Sequence, residues 1–357
     1  MKVKRILVFT TQLMETGGIE SHVCEFCFQM KSAGIEIDLI VLNAEMPEES
    51  ENFFKNVCNR IFFCKNGRSY LRLLWLIPIS LICSRFKYDA IYTNGQGNSI
   101  ELLMLLLKRQ TRWVHHHHMA GDKKDQITWT AGYRRALLKS AMVIACSKQN
   151  AFDMQNALNR AIDTIPCFSR KIEDKYRHRN TGAAVRFGYY GRLIPEKGID
   201  LLCRLSEDQD LKNVEFHIWG EGAAYPPSFF HQYPKLSYHG KFNSEDGLAD
   251  VLRAIDAFLL LSVHPEGLPI SLLEAMGFGL PWLATDKGGI PDIVCDPLST
   301  RLIPSTSGYR DIKNAVLAFA NDIAAGKISR EAQKKLYEER FSSPILISKW
   351  KEALELN

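Results

Sequence analysis

No stretch of the 357-residue chain stays apolar long enough to cross a bilayer. The longest apolar run, Leu71 to Cys83, is broken by Arg72 and Pro78 and falls short of the roughly 20 residues a spanning helix needs. The opening text, MKVKRILVFTT, turns polar before an apolar segment of secretory length develops, so it reads as a first strand and not an export signal. The nine cysteines, at 24, 27, 58, 64, 83, 146, 167, 203 and 295, are odd in number and scattered. That pattern is no disulfide scaffold and suits a reducing, cytoplasmic compartment. There is no fixed-period repeat and no low-complexity tract beyond His115 to His118. No basic stripe interleaved with aromatics appears, so nucleic acid is not an expected partner. The loop after Tyr190 lacks the second glycine and the Ser or Thr of a Walker phosphate loop, which argues against ATP hydrolysis.

What is present suits a globular protein of two domains, with 46% hydrophobic and 24% charged residues. The net charge of +5 is uneven. Residues 1–165 carry 21 Lys plus Arg against 15 Asp plus Glu, and residues 166–357 carry 24 against 25. Lys65, Arg68, Arg72, Arg85 and Lys87 flank the Leu71 to Cys83 run, and Lys108, Arg109 and Arg112 follow LLMLLL. Basic side chains beside apolar surface favour the anionic inner leaflet of a membrane, so peripheral attachment through the first domain is expected. A buried helix with ordinary charged ends would carry the same composition.

Strands alternate with helices twice over, the signature of parallel α/β layers. In the first half, strands are expected at Arg5 to Thr10, Ile37 to Leu42, Asp89 to Thr93, Arg112 to His117 and Met142 to Ala145, with a helix over Ile19 to Ser32. In the second they recur at Val185 to Tyr190, Val214 to Trp219, Leu236 to Tyr238, Phe258 to Leu261 and Trp282 to Ala284. Two Rossmann-like domains follow, 1–166 and 167–340. The boundary is placed near Ile165 to Lys175, ahead of polar text from Arg177 to Gly182, and a final helix is expected over Phe341 to Leu356.

Two carboxylates carry the functional reading. Glu266 and Glu274 stand eight apart, and helix formers from Ile270 to Phe278 start a helix beside the Gly267 to Pro269 turn. One carboxylate then lies on a strand-to-helix loop and the other about one turn into the helix, near free N–H groups that attract an anion. Taken alone, the pair reads equally as a solvated loop residue and a helix-surface residue. Arg192 and Lys197 lie on another strand-to-helix loop, where two cations can grip a diphosphate. Gly17 and Gly18 precede the first helix and let backbone approach a ligand closely, though paired glycines also make plain turns.

The text Ala257 to Val294 resembles the EX7E region of the retaining glycosyltransferases of family 4. YYGRLIPEKGIDLL, Tyr189 to Leu202, is similar to that family's G-R-x-x-x-x-K-G segment, and the resemblance extends over nearly the whole chain. It implies the GT-B fold: two Rossmann-like domains facing across a cleft, the second binding a nucleotide sugar and the first an acceptor, with a C-terminal helix, 341–357, crossing back. It further implies sugar transfer with retention of anomeric configuration and without a metal or other cofactor. Glu274 would bind the ribose hydroxyls and Glu266 the donor-sugar hydroxyls. Arg192, Lys197 and the Gly267, Leu268, Pro269, Ile270 helix start would hold the diphosphate. The family's glycine pair lies close to the transferred sugar and phosphates, at Gly17 and Gly18 here. The segments IWGEG, Ile218 to Gly222, and HGKF, with Lys241 and Phe242, would lie near the base.

Family members also carry a histidine at the end of the strand in RWVHHHHMAGD, near the anomeric carbon. Here it corresponds to His118, or to His117 in the alternative register. Alternation along the strand points two of the four histidines to each face. Zinc is not expected there, because consecutive strand residues do not converge and no Cys or carboxylate stands at ligand spacing. Cys24 and Cys27 share a helix as core residues, and Asp208 and Asp210 read as loop surface, not a metal motif. The chain departs from the family in two places: E-G-F-G becomes Glu266, Gly267, Leu268, Pro269, removing one N–H, and an Asn-Gly becomes Cys167, Phe168. The E-G-L-P form resembles the branch that builds bacterial surface polysaccharides such as O-antigen, capsule or exopolysaccharide. The implied acceptor is a lipid-linked or oligosaccharide glycan. A sugar-nucleotide epimerase on the same architecture and a non-catalytic glycolipid binder are the competing readings.

Overall fold

The computed structural model describes residues 3–14, 17–65, 67–107, 112–170, 172, 184–242 and 244–357, without the side chains of 244–246. Lys108, Arg109 and the polar 177–182 segment lie outside the described residues. The chain forms two compact units, Met1–Phe168 with Ser343–Asn357, and Ser169–Ser342.

Unit 1 is a seven-stranded sheet of β1 (Arg5–Thr10), β2 (Glu36–Val41), β3 (Arg60–Phe63), β4 (Ala90–Asn94), β5 (Trp113–His117), β6 (Met142–Ala145) and β7 (Asp163–Thr164). Its order is β3-β2-β1-β4-β5-β6-β7, and every pairing is parallel. Unit 2 has β8 (Val185–Tyr190), β9 (Val214–Trp219), β10 (Leu236–Tyr238), β11 (Ala257–Leu260), β12 (Trp282–Thr285) and β13 (Thr300–Ile303), ordered β10-β9-β8-β11-β12-β13 and again parallel. Such strands are covered on both faces, which is why β11 and the middle of β1, Ile6 to Phe9, read as unbroken apolar text. Strand order reverses between β1 and β4 and between β8 and β11. Ligands of open α/β sheets bind at such reversals, outside the strands' carboxyl ends.

Three strands escaped the sequence pattern: β3, the two-residue β7, and β13. The final helix spans Ser343–Ala353, and a separate helix, Arg330–Phe341, precedes it. Extended backbone at Ser342, two residues before Pro344, separates them. The final helix belongs to unit 1, where Leu346 and Trp350 are fully buried. The Trp350 ring lies 5.3 Å from the rings of Phe26 and Tyr92, and Arg112 Nη2 donates to the Ala353 carbonyl at 2.7 Å.

The apolar run became the helix Ser69–Cys83. It buries Leu76, Ser80 and Cys83 but leaves Tyr70, Leu74 and Leu81 more than half exposed. Among the described residues, no helix is long and apolar enough to cross a membrane.

Candidate active site

The loops after β8 and β11 meet at the strand-order reversal of unit 2. Their backbones touch: a Cβ on Gly198, which has φ +71°, would lie 2.0 Å from the Leu261 carbonyl oxygen, and Val263 N donates to Glu196 O at 2.9 Å. This close approach brings Lys197 to Glu266. Lys197 Nζ lies 2.7 Å from both Glu266 carboxylate oxygens, and the Ser262 hydroxyl donates to the same carboxylate. Gly288, at φ +57°, backs the loop, since a Cβ there would meet the Glu266 backbone. Arg192 is exposed and its guanidinium has no ion-pair partner among the described residues.

Glu274 lies one turn into the Ile270–Phe278 helix, and it is not a helix-surface residue: only 2% of it is exposed. Arg170 Nε donates to Oε1 at 2.7 Å and the Tyr190 hydroxyl donates to Oε2 at 2.8 Å. Burial, reinforced by the adjacent Glu274 charge, keeps the Tyr190 phenol protonated far above its ordinary range. Pro269 caps the helix with no side-chain hydrogen bond, and Leu272 N donates to Pro269 O at 3.1 Å, which leaves the Ile270 and Ser271 N–H groups to face an anion.

In unit 1 the first helix starts at Gly18, with Gly17 in extended conformation as its cap. Glu20 reaches back, its Oε1 accepting from Met14 N at 2.8 Å. The four histidines divide between the sheet faces. His115 contacts Thr93 Oγ1 at 2.9 Å and the Tyr133 hydroxyl at 2.8 Å. His117 contacts the same hydroxyl at 2.8 Å and Asp125 Oδ2 at 2.7 Å. Burial opposes the Asp125 charge, yet hydrogen bonds from His117, Gln96 and the Gly121 amide hold its pKa below the usual value. Asp125 is therefore ionised and accepts a hydrogen bond from His117 Nε2–H, leaving Nδ1 to accept from Tyr133. Both ring nitrogens of His117 are engaged. On the other face, His118 turns Nδ1 toward Cys167 Sγ, 3.5 Å away, and its Nε2 has no partner among the described residues.

Two family models match successive parts of the chain: "Glycosyltransferase Family 4" over residues 16–168 and "Glycosyl transferases group 1" over 184–322. The chain is a glycosyltransferase of the family 4 type. An uncharacterized glycosyltransferase of Methanocaldococcus jannaschii is 27% identical over 353 residues, covering 96% of this chain and 95% of the relative. The lipopolysaccharide outer core galactosyltransferase WaaB, in its apo form, superposes with a TM-score of 0.71 at 16% identity, over 98% of this chain and 99% of WaaB. Anabaena HepE in complex with UDP-glucose superposes at 0.74 and 15% identity, over 99% and 100%. These solved structures show the GT-B fold in this glycosyltransferase.

Around the glycosyltransferase's β8 end, further expected residues gather. Gly220, at φ +135°, passes so close to Gly191 that a Cβ would lie 1.9 Å from its carbonyl oxygen. Phe242 packs edge-on to Tyr190, ring centroids 5.8 Å apart, and Lys241 lies 3.4 Å from Glu221. Arg170 was missed because its partner is 104 positions away and it stands in polar linker text. Cys146 and Cys167 were missed as neighbours of the histidine tract for the same reason. Neither stands at ligand spacing from it, yet parallel pairing of β5, β6 and β7 sets their carboxyl ends side by side.

Proposed function

We propose that this glycosyltransferase moves a sugar, with retention of configuration, from a nucleotide-diphosphate sugar to a glycan acceptor of a bacterial surface polysaccharide. The observation that carries the reading is the Lys197–Glu266 pair at the unit 2 reversal, beside an uncapped helix start. Lys197 pairs with Glu266. A bound donor supplies both with new partners, its diphosphate taking Lys197, Arg192 and the Ile270 helix end, and its sugar hydroxyls donating to Glu266. The diphosphate gains negative charge as the glycosidic bond breaks, so these fixed positive groups favour the transition state. They supply that charge without a metal. Gly267, Leu268 and Pro269 shape the turn beneath it.

Glu274 accepts the ribose hydroxyls, with Arg170 sharing or yielding its place. Lys241 and Phe242 flank the base. Gly17 and Gly18 pass close to the phosphates, and His118 hydrogen-bonds the transferred sugar through Nε2. A phosphate oxygen of the leaving group helps deprotonate the acceptor on the same face. HepE's complex with UDP-glucose makes uridine diphosphate the first base to test. WaaB's named activity on lipopolysaccharide supports a lipid-linked acceptor at the inner membrane face. The exposed Tyr70, Leu74 and Leu81, on a helix that carries Arg72 and is flanked by Arg68 and Arg85, supply the peripheral contact.

Thermal unfolding against a panel of nucleoside diphosphates tests the donor site. A ligand at about 100 times its Kd stabilises the folded state by about 2.7 kcal/mol. Stabilisation by one member, lost in Glu274→Ala, supports the assignment; a flat panel counts against it.

A further inference from the structure

One polar cluster in unit 1 has a composition that sugar transfer does not call for. His116 and His118 project to the same face of β5's end, Cys146 follows β6, and Cys167 follows β7. Cys146 Sγ lies 3.3 Å from His116 Nε2, 3.3 Å from Cys167 Sγ and 3.8 Å from His118 Nδ1, while Cys167 Sγ lies 3.5 Å from His118 Nδ1. One ligand atom from each of the four residues lies within 4.8 Å of every other. A tetrahedral zinc with bonds of about 2.3 Å to sulfur and about 2.0 Å to nitrogen has ligand-to-ligand edges of about 3.3 to 3.8 Å. Four of the six separations span 3.3 to 3.8 Å, the range of those edges; the S···S separation is shorter than the edge between two bound thiolates, and the remaining two lie within 4.8 Å. Two sulfurs and two imidazoles in a tetrahedron are the donor set of zinc, not of magnesium or calcium.

The surroundings also orient the ligands. His116 Nδ1 is 3.1 Å from the Tyr92 hydroxyl, which is 3.1 Å from His22 Nε2. His22 Nδ1 in turn accepts from the Phe168 amide at 3.0 Å. This chain pins the His116 ring with Nε2 toward the sulfurs, as outer-shell hydrogen bonds do in metal sites. Cys146, Cys167 and His116 are fully buried, so the cluster is shielded from water.

We propose that His116 Nε2, His118 Nδ1, Cys146 Sγ and Cys167 Sγ bind one zinc ion in a closed structural site that ties together the carboxyl ends of β5, β6 and β7. Binding expels both thiol protons and moves the His116 ring proton from Nε2 to Nδ1, whose N–H then donates to the Tyr92 oxygen, the same oxygen that accepts from His22 Nε2–H. The proposal shares only His118 with the donor-site reading, through its other ring nitrogen, and its test reads metal content and not activity.

The full chain, purified without chelator from zinc-supplemented cells, is assayed for zinc by plasma mass spectrometry. One zinc per chain is expected, with near-complete loss in Cys167→Ala and in His116→Ala, and retention in Cys24→Ala. Because a ligand variant can misfold, the wild-type protein, stripped and reduced, is also titrated with cobalt(II). The expected result is a thiolate-to-cobalt charge-transfer band with intense tetrahedral visible bands. Tyr92→Phe, which keeps all four ligands, is expected to weaken cobalt binding about tenfold. Zinc-free wild-type protein that gives no cobalt–thiolate band overturns the proposal, as does full zinc in both ligand variants. A Cys146–Cys167 disulfide in the protein as isolated, found by mass spectrometry, also overturns it.

Discussion

Arg192→Ala and Lys197→Ala, compared side by side, separate a binding role from a structural one. Arg192 is exposed and pairs with no carboxylate among the described residues, so its removal should change stability by no more than about 0.5 kcal/mol. Lys197 bridges both oxygens of Glu266, with side chains 20% and 15% exposed. Solvent screening reduces the value of that pair, and Ser262 still donates to Glu266 after the change. About 1 kcal/mol of stability should be lost, seen as roughly 2–4 °C in the melting temperature for a domain of this size. Binding should respond more. A hydrogen bond from a charged donor contributes about 1.5–3 kcal/mol, so each variant should weaken UDP, or whichever nucleoside diphosphate binds, by about 10- to 150-fold. Lys197→Ala should be the worse of the two, since it leaves the Glu266 charge facing the diphosphate. Isothermal titration calorimetry on folded protein reads the effect. Unchanged affinity in both variants would refute the placement of the diphosphate.

Other outcomes follow from the same geometry. Gly198→Ala combines a left-handed backbone with a Cβ 2.0 Å from the Leu261 carbonyl oxygen, and should cost about 2 kcal/mol or more in thermal unfolding. Trp350→Ala empties a fully buried position in the unit 1 core and should cost about 3–5 kcal/mol in chemical denaturation. Leu74→Gln with Leu81→Gln should leave stability almost unchanged and reduce flotation with anionic lipid vesicles. Equal flotation of this double variant would remove that helix from the membrane contact.

The repeated α/β pattern could be read from local text because parallel strands are buried on both faces and stay apolar throughout. Val185–Tyr190, Val214–Trp219 and the Ile270–Phe278 helix have the bounds that apolar periodicity suggests. β3, β7 and β13 were harder because they are short and peripheral, two to four residues each, too brief for a period to show. The Phe341 to Leu356 text carries helical character, and its helix occupies Ser343–Ala353 once extended backbone at Ser342 has ended the preceding one. At the site, the spacing of Glu266 and Glu274 along the chain locates the loop and the helix. Their partners, Lys197 and Arg170, are 69 and 104 positions away. No local pattern encodes such pairs. The cluster around His118 is the extreme case, because its sulfurs follow two further strands and only sheet order makes them neighbours.

The central claim is retaining transfer from a nucleotide sugar, and proton NMR of the reaction tests it most directly. The glycosyltransferase is incubated with a nucleotide sugar that stabilises it and a membrane glycolipid extract as acceptor. The account predicts loss of the donor's anomeric signal, release of nucleoside diphosphate and a new anomeric proton of the same configuration, all abolished in Glu274→Ala. An inverted product, or interconversion of nucleotide sugars without acceptor, would contradict it.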